Sequence, residues 1–197
     1  VLQPDMLTLI ELNAEEVSLI EAAVPGGAAN IQDIYPLAPL QEGILFHHRL
    51  RHRGDTYVLP CLLGFDSRER LDRFIAGFNQ LIARHDILRT AVLWEGLREP
   101  VQVVYKHAAM EVEWPSVPDE EAGRVAEWLY TQVDPEHHHI DVRRAPMLRA
   151  VAAYDAEQGR WLLQLPSHHL VMDHTTLELL VEEIALIQQD REAELPK

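Results

Sequence analysis

The sequence has one cysteine, and a single thiol cannot close an internal disulfide. Cys61 lies in the apolar run from Tyr57 to Phe65, where it reads as a small buried hydrophobe, and a chain without disulfides suits a reducing cytoplasm. Basic residues are also scarce: 17 Lys+Arg face 32 Asp+Glu, a formal charge of -15. That balance repels phosphate backbones and anionic lipid, so nucleic acid and membrane surfaces are poor partners. Nothing approaches the roughly 18 uninterrupted apolar residues of a membrane span. The start, Val1-Leu2-Gln3-Pro4-Asp5, lacks the charged and apolar regions of a signal peptide and has no initiator Met, as expected of a piece cut from a longer chain. Gly-x-Ser-x-Gly turns and glycine-rich phosphate loops are missing as well, so neither a serine nucleophile nor nucleotide binding is indicated.

What is present is enough apolar material, 47% of 197 residues, for one well-buried domain. Asn13 and Glu16 make a capping-box pattern, Val17, Ile20 and Val24 follow at helical spacing, and Pro25-Gly26-Gly27 stops the helix. The prolines of Tyr35-Pro36-Leu37-Ala38-Pro39 forbid a regular ladder or helix interior, with a helix from Glu42 to Leu50 and a strand from Tyr57 to Phe65 expected after them. From Ser67 to Arg84, Leu71, Phe74, Ile75, Phe78, Leu81 and Ile82 share one face of a helix. Ile87 to Trp94 and Pro100 to Tyr105 read as a hairpin, Asp119 to Gln132 as a helix, and Met147 to Tyr154 with Trp161 to Leu165 as two more strands. Leu177, Leu180, Val181, Ile184 and Ile187 mark a last helix. Strands interleaved with such helices predict an α/β sandwich, helices packed on a mixed β-sheet.

Chemistry concentrates in Ser167-His168-His169-Leu170-Val171-Met172-Asp173-His174, between a strand and a helix opening at Thr175. Successive strand residues face opposite ways, so if extended geometry persists His169 shares the side of Leu163 and Leu165 while His168 points away. One imidazole can then serve proton transfer and the other packing. Asp173 either orients an imidazole or anchors the loop to a buried arginine. No metal site is expected: His137-His138-His139 and the His168, His169, His174 group lack a helical His-x-x-x-His pair and cysteine ligands at finger spacing.

Three segments in order, Tyr35 to His48 (YPLAPLQEGILFHH), Arg84 to Thr90 (RHDILRT) and His168 to Asp173, resemble the motifs of nonribosomal peptide synthetase condensation domains. The resemblance covers residues 31 to 197, while residues 1 to 30 resemble the linker, with one short helix, that follows a carrier protein. It implies a chloramphenicol acetyltransferase-like fold in which two lobes form a V, this chain being the N-terminal lobe. The implied reaction joins a carrier-bound donor thioester to the amine of a carrier-bound acceptor, in a cytoplasmic enzyme of antibiotic or other secondary metabolism. Upstream and downstream peptidyl carrier proteins and the C-terminal lobe are the implied partners, with no cofactor bound directly and the phosphopantetheine arms supplied by the carriers.

By motif position the resemblance assigns His169 to the proton-handling histidine, His168 and Asp173 to its flanks, and Arg84 or Arg89 to an ion pair with the aspartate. Two departures, His174 where most members carry glycine and the His47-His48 pair followed by Gly54-Asp55, resemble the dual epimerization/condensation subgroup. The alternatives are an ordinary condensation lobe and a non-catalytic carrier-docking module. An isolated lobe is expected to be inactive.

Overall fold

The computed structural model describes residues 10–50, 57–170, 179–180 and 182–184. Along the chain run α1 (Ala14–Ala23), β1 (Ile31–Pro36), α2 (Pro39–Leu50), β2 (Val58–Leu59), β3 (Leu62–Phe65), α3 (Arg68–Arg84), β4 (Thr90–Leu93) and β5 (Val101–Tyr105). After these come β6 (Val112–Glu113), α4 (Val125–Val133), β7 (Ala150–Asp155), β8 (Arg160–Gln164) and β9 (Ser167–His168). Among the described residues three sheets form, in the orders β1-β5-β4, β2-β9 and β3-β8-β7-β6. The last is mixed, because β6 joins β7 in parallel while its other pairs are antiparallel.

α3 forms where its apolar period predicts, with Ser67 as N-cap accepting the Arg70 N–H at 3.2 Å. Leu71, Leu81 and Ile82 lose all solvent exposure, each contributing roughly 1.5–3 kcal/mol. They pack in one core with Ala152 and Leu163 of the four-stranded sheet and with Leu180 and Ile184. α4 covers the opposite face, placing Val125, Leu129 and Val133 on Val151, Ala153 and Leu162. The alternation of 151, 152 and 153 between two cores is the period of two expected of a strand covered on both sides.

α1 carries the complete capping box, Glu16 N–H to Asn13 Oδ1 at 2.8 Å and Asn13 N–H to Glu16 Oε1 at 3.3 Å. Residues 10–30, expected as a linker with one helix, do carry that helix, and its face is built into a core: Ile10, Leu12, Val17 and Ile20 pack on Ile31, Ile34, Val101 and Val103. A fourth core joins Ile44 and Leu45 of α2 to Val58, Val92, Met147 and Leu170.

Several boundaries differ from the sequence expectations. Ile31–Pro36 is a strand, paired from Ile31↔Tyr105 to Pro36↔Val101. Pro36 is tolerated because it ends a strand at the sheet edge, where no outward N–H is needed. α2 begins at Pro39, three residues before the expected start, since a proline at the first helical position loses no intrahelical bond. The expected strand from Tyr57 to Phe65 is two strands interrupted at Pro60-Cys61, one in each of two ladders. Asp86–Arg89 is a 3-10 turn that shortens the following strand, and α4 starts only at Val125. Only residues 179–180 and 182–184 of the last expected helix are described, and they are helical.

Candidate functional site

The histidine segment is held as a two-residue strand between two neighbours. On one side β9 pairs with β2, His168 opposite Val58 and Ser167 opposite Leu59. On the other Ser167 bridges Leu148. Leu165-Pro166 is assigned to no strand, yet the pairing keeps its register across it, from Leu62 opposite Gln164 to Leu59 opposite Ser167, with the Leu165 N–H bonded to the Cys61 carbonyl at 2.8 Å between them. Register is thus kept from β8 to β9, the condition on which the expected sharing of a side by His169, Leu163 and Leu165 rests.

Each amide of the turn has a partner. The His168 N–H donates to the Met147 carbonyl at 3.0 Å and the His169 N–H to the Tyr57 carbonyl at 2.7 Å. The Leu170 N–H donates to His168 Nδ1 at 3.1 Å, which makes Nδ1 an acceptor and places a neutral ring's proton on Nε2. The Leu170 carbonyl accepts from Gln41 Nε2 at 3.4 Å. His168 has 0% exposure, whereas His169 is only half-buried.

The end of α2 brings a second imidazole. The His48 ring stands edge-on to the His168 ring, centroids 5.3 Å apart at 86°, and lies 6.4 Å from the Trp94 ring. His47, one residue away, is exposed and tilts against the Tyr57 ring at 6.1 Å. The structure thus brings His47, His48, His168 and the backbone of His169 into one region. Asp55, Asp173 and His174 lie outside the described residues.

The two arginines occupy different environments. Arg89 is buried, and its guanidinium donates to the Ile82 carbonyl at 2.9 Å, Gln32 Oε1 at 2.8 Å, Asp86 Oδ1 at 2.6 Å and the Tyr105 carbonyl. That fork ties the end of α3 to β1 and β5. Arg84 is exposed in the last turn of α3. Beside it, His85 Nε2 meets Glu183 Oε2 at 2.8 Å, attaching the helical residues after the histidine segment to α3.

Elsewhere, Asp134, Glu136 and His137 each offer a ligand atom, all within 4.8 Å of one another. The His-only spacing argument did not capture this group. The Glu136 N–H and the His137 ring beside Asp134 hold its carboxyl below the usual range, and the Asp134–His137 bond is 2.8 Å. Burial pushes the Cys61 thiol up, as expected of a packed rather than reactive cysteine. A cleft of about 290 Å³ between α1 and the Trp94 and Arg143 loops has no site histidine in its lining.

Sequence reasoning passed over Gln41, Gln102, Tyr57 and Trp94. Gln41 lies inside the first motif, seven residues and two helical turns before His48, and Gln102 is the polar interruption of Val101-Gln102-Val103-Val104. Tyr57 acts through its carbonyl, for which no side-chain pattern exists.

A condensation-domain family model matches residues 31–196. Malpinin synthetase of Mortierella alpina is 46% identical over 98% of this chain, which spans 2% of that protein. Tyrocidine synthase 3 of Brevibacillus parabrevis is 28% identical over 79% of the chain, again 2% of that protein. Among solved structures, holo T3CT superposes with a TM-score of 0.70 at 18% identity over 96% of this chain and 42% of the other. The starter condensation domain of rhizomide synthetase superposes with a TM-score of 0.65 at 17% identity, covering 84% and 41%. The α/β architecture with helices on a mixed sheet is the fold of these condensation-domain structures. No described helix is long and apolar enough to cross a membrane.

Proposed function

The chain belongs to the condensation-domain family of nonribosomal peptide synthetases, whose members form amide bonds, and from that premise we propose that it is the N-terminal lobe of such a domain, with His169 as its proton-handling residue. The observation that carries this reading is the division of labour at the histidine pair. His168 is enclosed, its Nδ1 spent on the Leu170 N–H. His169, held through its own N–H, is only half-buried. In the proposed reaction the acceptor amine attacks the donor thioester carbonyl, the C–N bond forms, the C–S bond breaks, and His169 takes or orients the amine proton while the thiol leaves. The thioesters arrive on phosphopantetheine arms of upstream and downstream carrier proteins. Coverage of 41–42% of the matched solved chains supports a second lobe completing the site.

His48, whose ring stands beside that of His168, and the adjacent His47 favour the dual reading, in which the donor α-carbon is epimerized from L to D before condensation. Inversion needs a proton removed from one face of that carbon and returned to the other, which one imidazole rarely reaches. The ordinary condensation lobe is the second reading. In the intact, carrier-loaded synthetase, His169→Ala should lower amide formation by about 10²–10⁴-fold, and wild-type rates would overturn the assignment. An L-donor followed in deuterated buffer decides between the readings. Deuterium at the donor α-carbon with a D-product, lost in His48→Ala while a D-donor still condenses, supports epimerization. An L-donor joined with its proton retained leaves ordinary condensation.

A further inference from the structure

We propose that Gln41 is a positioning residue for His169. The inference deepens the assignment of His169 and starts from the backbone of the histidine turn. Leu170 is held at both ends of its peptide, its N–H by His168 Nδ1 at 3.1 Å and its carbonyl by Gln41 Nε2 at 3.4 Å. His169, one residue before it, is fixed on its other side by the Tyr57 carbonyl at 2.7 Å. Of these holds, only that of Gln41 comes from α2.

The Gln41 amide is itself immobilised. Its Oε1 accepts the Ala38 N–H at 2.9 Å, so the glutamine at the third helical position supplies half a capping box. It also pairs reciprocally with Gln102, Nε2 to Oε1 at 3.4 Å one way and 3.3 Å the other. Gln102 in turn donates to the Pro36 carbonyl at 2.9 Å. This chain of amides runs from β1 through β5 to α2 and ends on the Leu170 carbonyl. Positions 41 and 48 are two turns apart, so one stripe of α2 meets the turn twice, by the Gln41 amide at Leu170 and by the His48 ring at His168. Ile44 and Leu45 between them pack in the core that holds Leu170. Loss of the Gln41 donor frees one end of the segment bearing the imidazole, and small misplacements of a catalytic group are costly.

The decisive variant is Gln41→Glu, which keeps the shape and the cap acceptor for Ala38 but turns a carboxylate oxygen toward the Leu170 carbonyl. Gln102→Ala is the second variant, leaving α2 untouched while removing the partner that orients Gln41. In the intact synthetase Gln41→Glu should lower kcat on the order of 10- to 100-fold with KM unchanged, and Gln102→Ala should do so more weakly. In the 197-residue chain, nitrogen-15 spectra should show a shifted His169 ring titration and faster Leu170 amide exchange, with Leu81 exchange unaltered. A His169 titration and Leu170 exchange identical to wild type in both variants overturn the proposal, whatever the rates. If His169→Ala turns over normally, the assignment of His169 falls and the ring titration alone decides whether Gln41 positions it.

Discussion

The α3 core and the histidine turn are held by different physics. Around α3, Leu71, Leu81 and Ile82 reach 0% exposure inside a cluster of apolar side chains from several elements. Burial there is non-directional and spread over many contacts, so no single atom decides the geometry. The histidine turn instead relies on a two-residue ladder and on single bonds to Met147, Tyr57, His168 and Gln41. Each is directional, and a lost partner leaves a buried polar group unsatisfied. The α3 core supplies stability, the turn supplies placement, and mutations should separate the two.

Leu81→Ala should have the largest effect on stability, about 2–5 kcal/mol for a fully buried leucine. Denaturant unfolding checks the magnitude, and the His169 ring titration should stay at its wild-type position as long as the variant is folded. A shifted titration would show that the core and the turn are coupled. His168→Ala should cost less, about 1–3 kcal/mol from the unsatisfied Leu170 N–H. Its signature is local: the Leu170 amide should exchange faster while the Leu81 amide keeps its protection. Equal loosening at both places would erase the distinction.

The smallest effect should come from Glu16, at the N-terminal edge of a third region. The Arg98 backbone N–H is the main cause holding its carboxyl below the usual range; burial opposes this, and the Asn13 N–H and Arg98 guanidinium assist. A depressed folded pKa means a stabilisation present above the ordinary carboxylate pKa and lost as pH falls through the folded value. Glu16→Gln should therefore lower the melting temperature slightly at neutral pH and match wild type in acid. Melting curves at pH 7 and at pH 3 check this, and a difference that persists in acid would assign the effect to packing instead.

Where one element's residues carried the information, the sequence was readable. The Asn13/Glu16 capping box and the apolar stripe of α3 rest on spacings of three or four residues, and they formed where expected. The hairpin from β4 to β5 followed from composition and a glycine, Gly96, that takes a φ of +73°. The strand ending at Pro36 was missed because proline's cost depends on whether the position is an edge, which is a property of the sheet. The break at Pro60-Cys61 was missed because the hydrophobic run continues through a proline that has no N–H to give to the ladder. At the site, the histidines announced themselves by residue type. Gln41 and Tyr57 did not, one acting across 129 residues of sequence and the other through a main-chain oxygen.

The sequence by itself determined the α/β class, the principal helices and three ordered motifs pointing to a condensation domain, because periodicity, capping and motif spacing are local. Only the tertiary structure decided that His168 is enclosed while His169 stays half open, that His48 leans on His168, and that the fork of Arg89 closes on Asp86, Gln32 and two carbonyls. Those outcomes depend on which distant strand or helix arrives beside a residue, and a side chain's protonation, tautomer and reach are set by what it meets there.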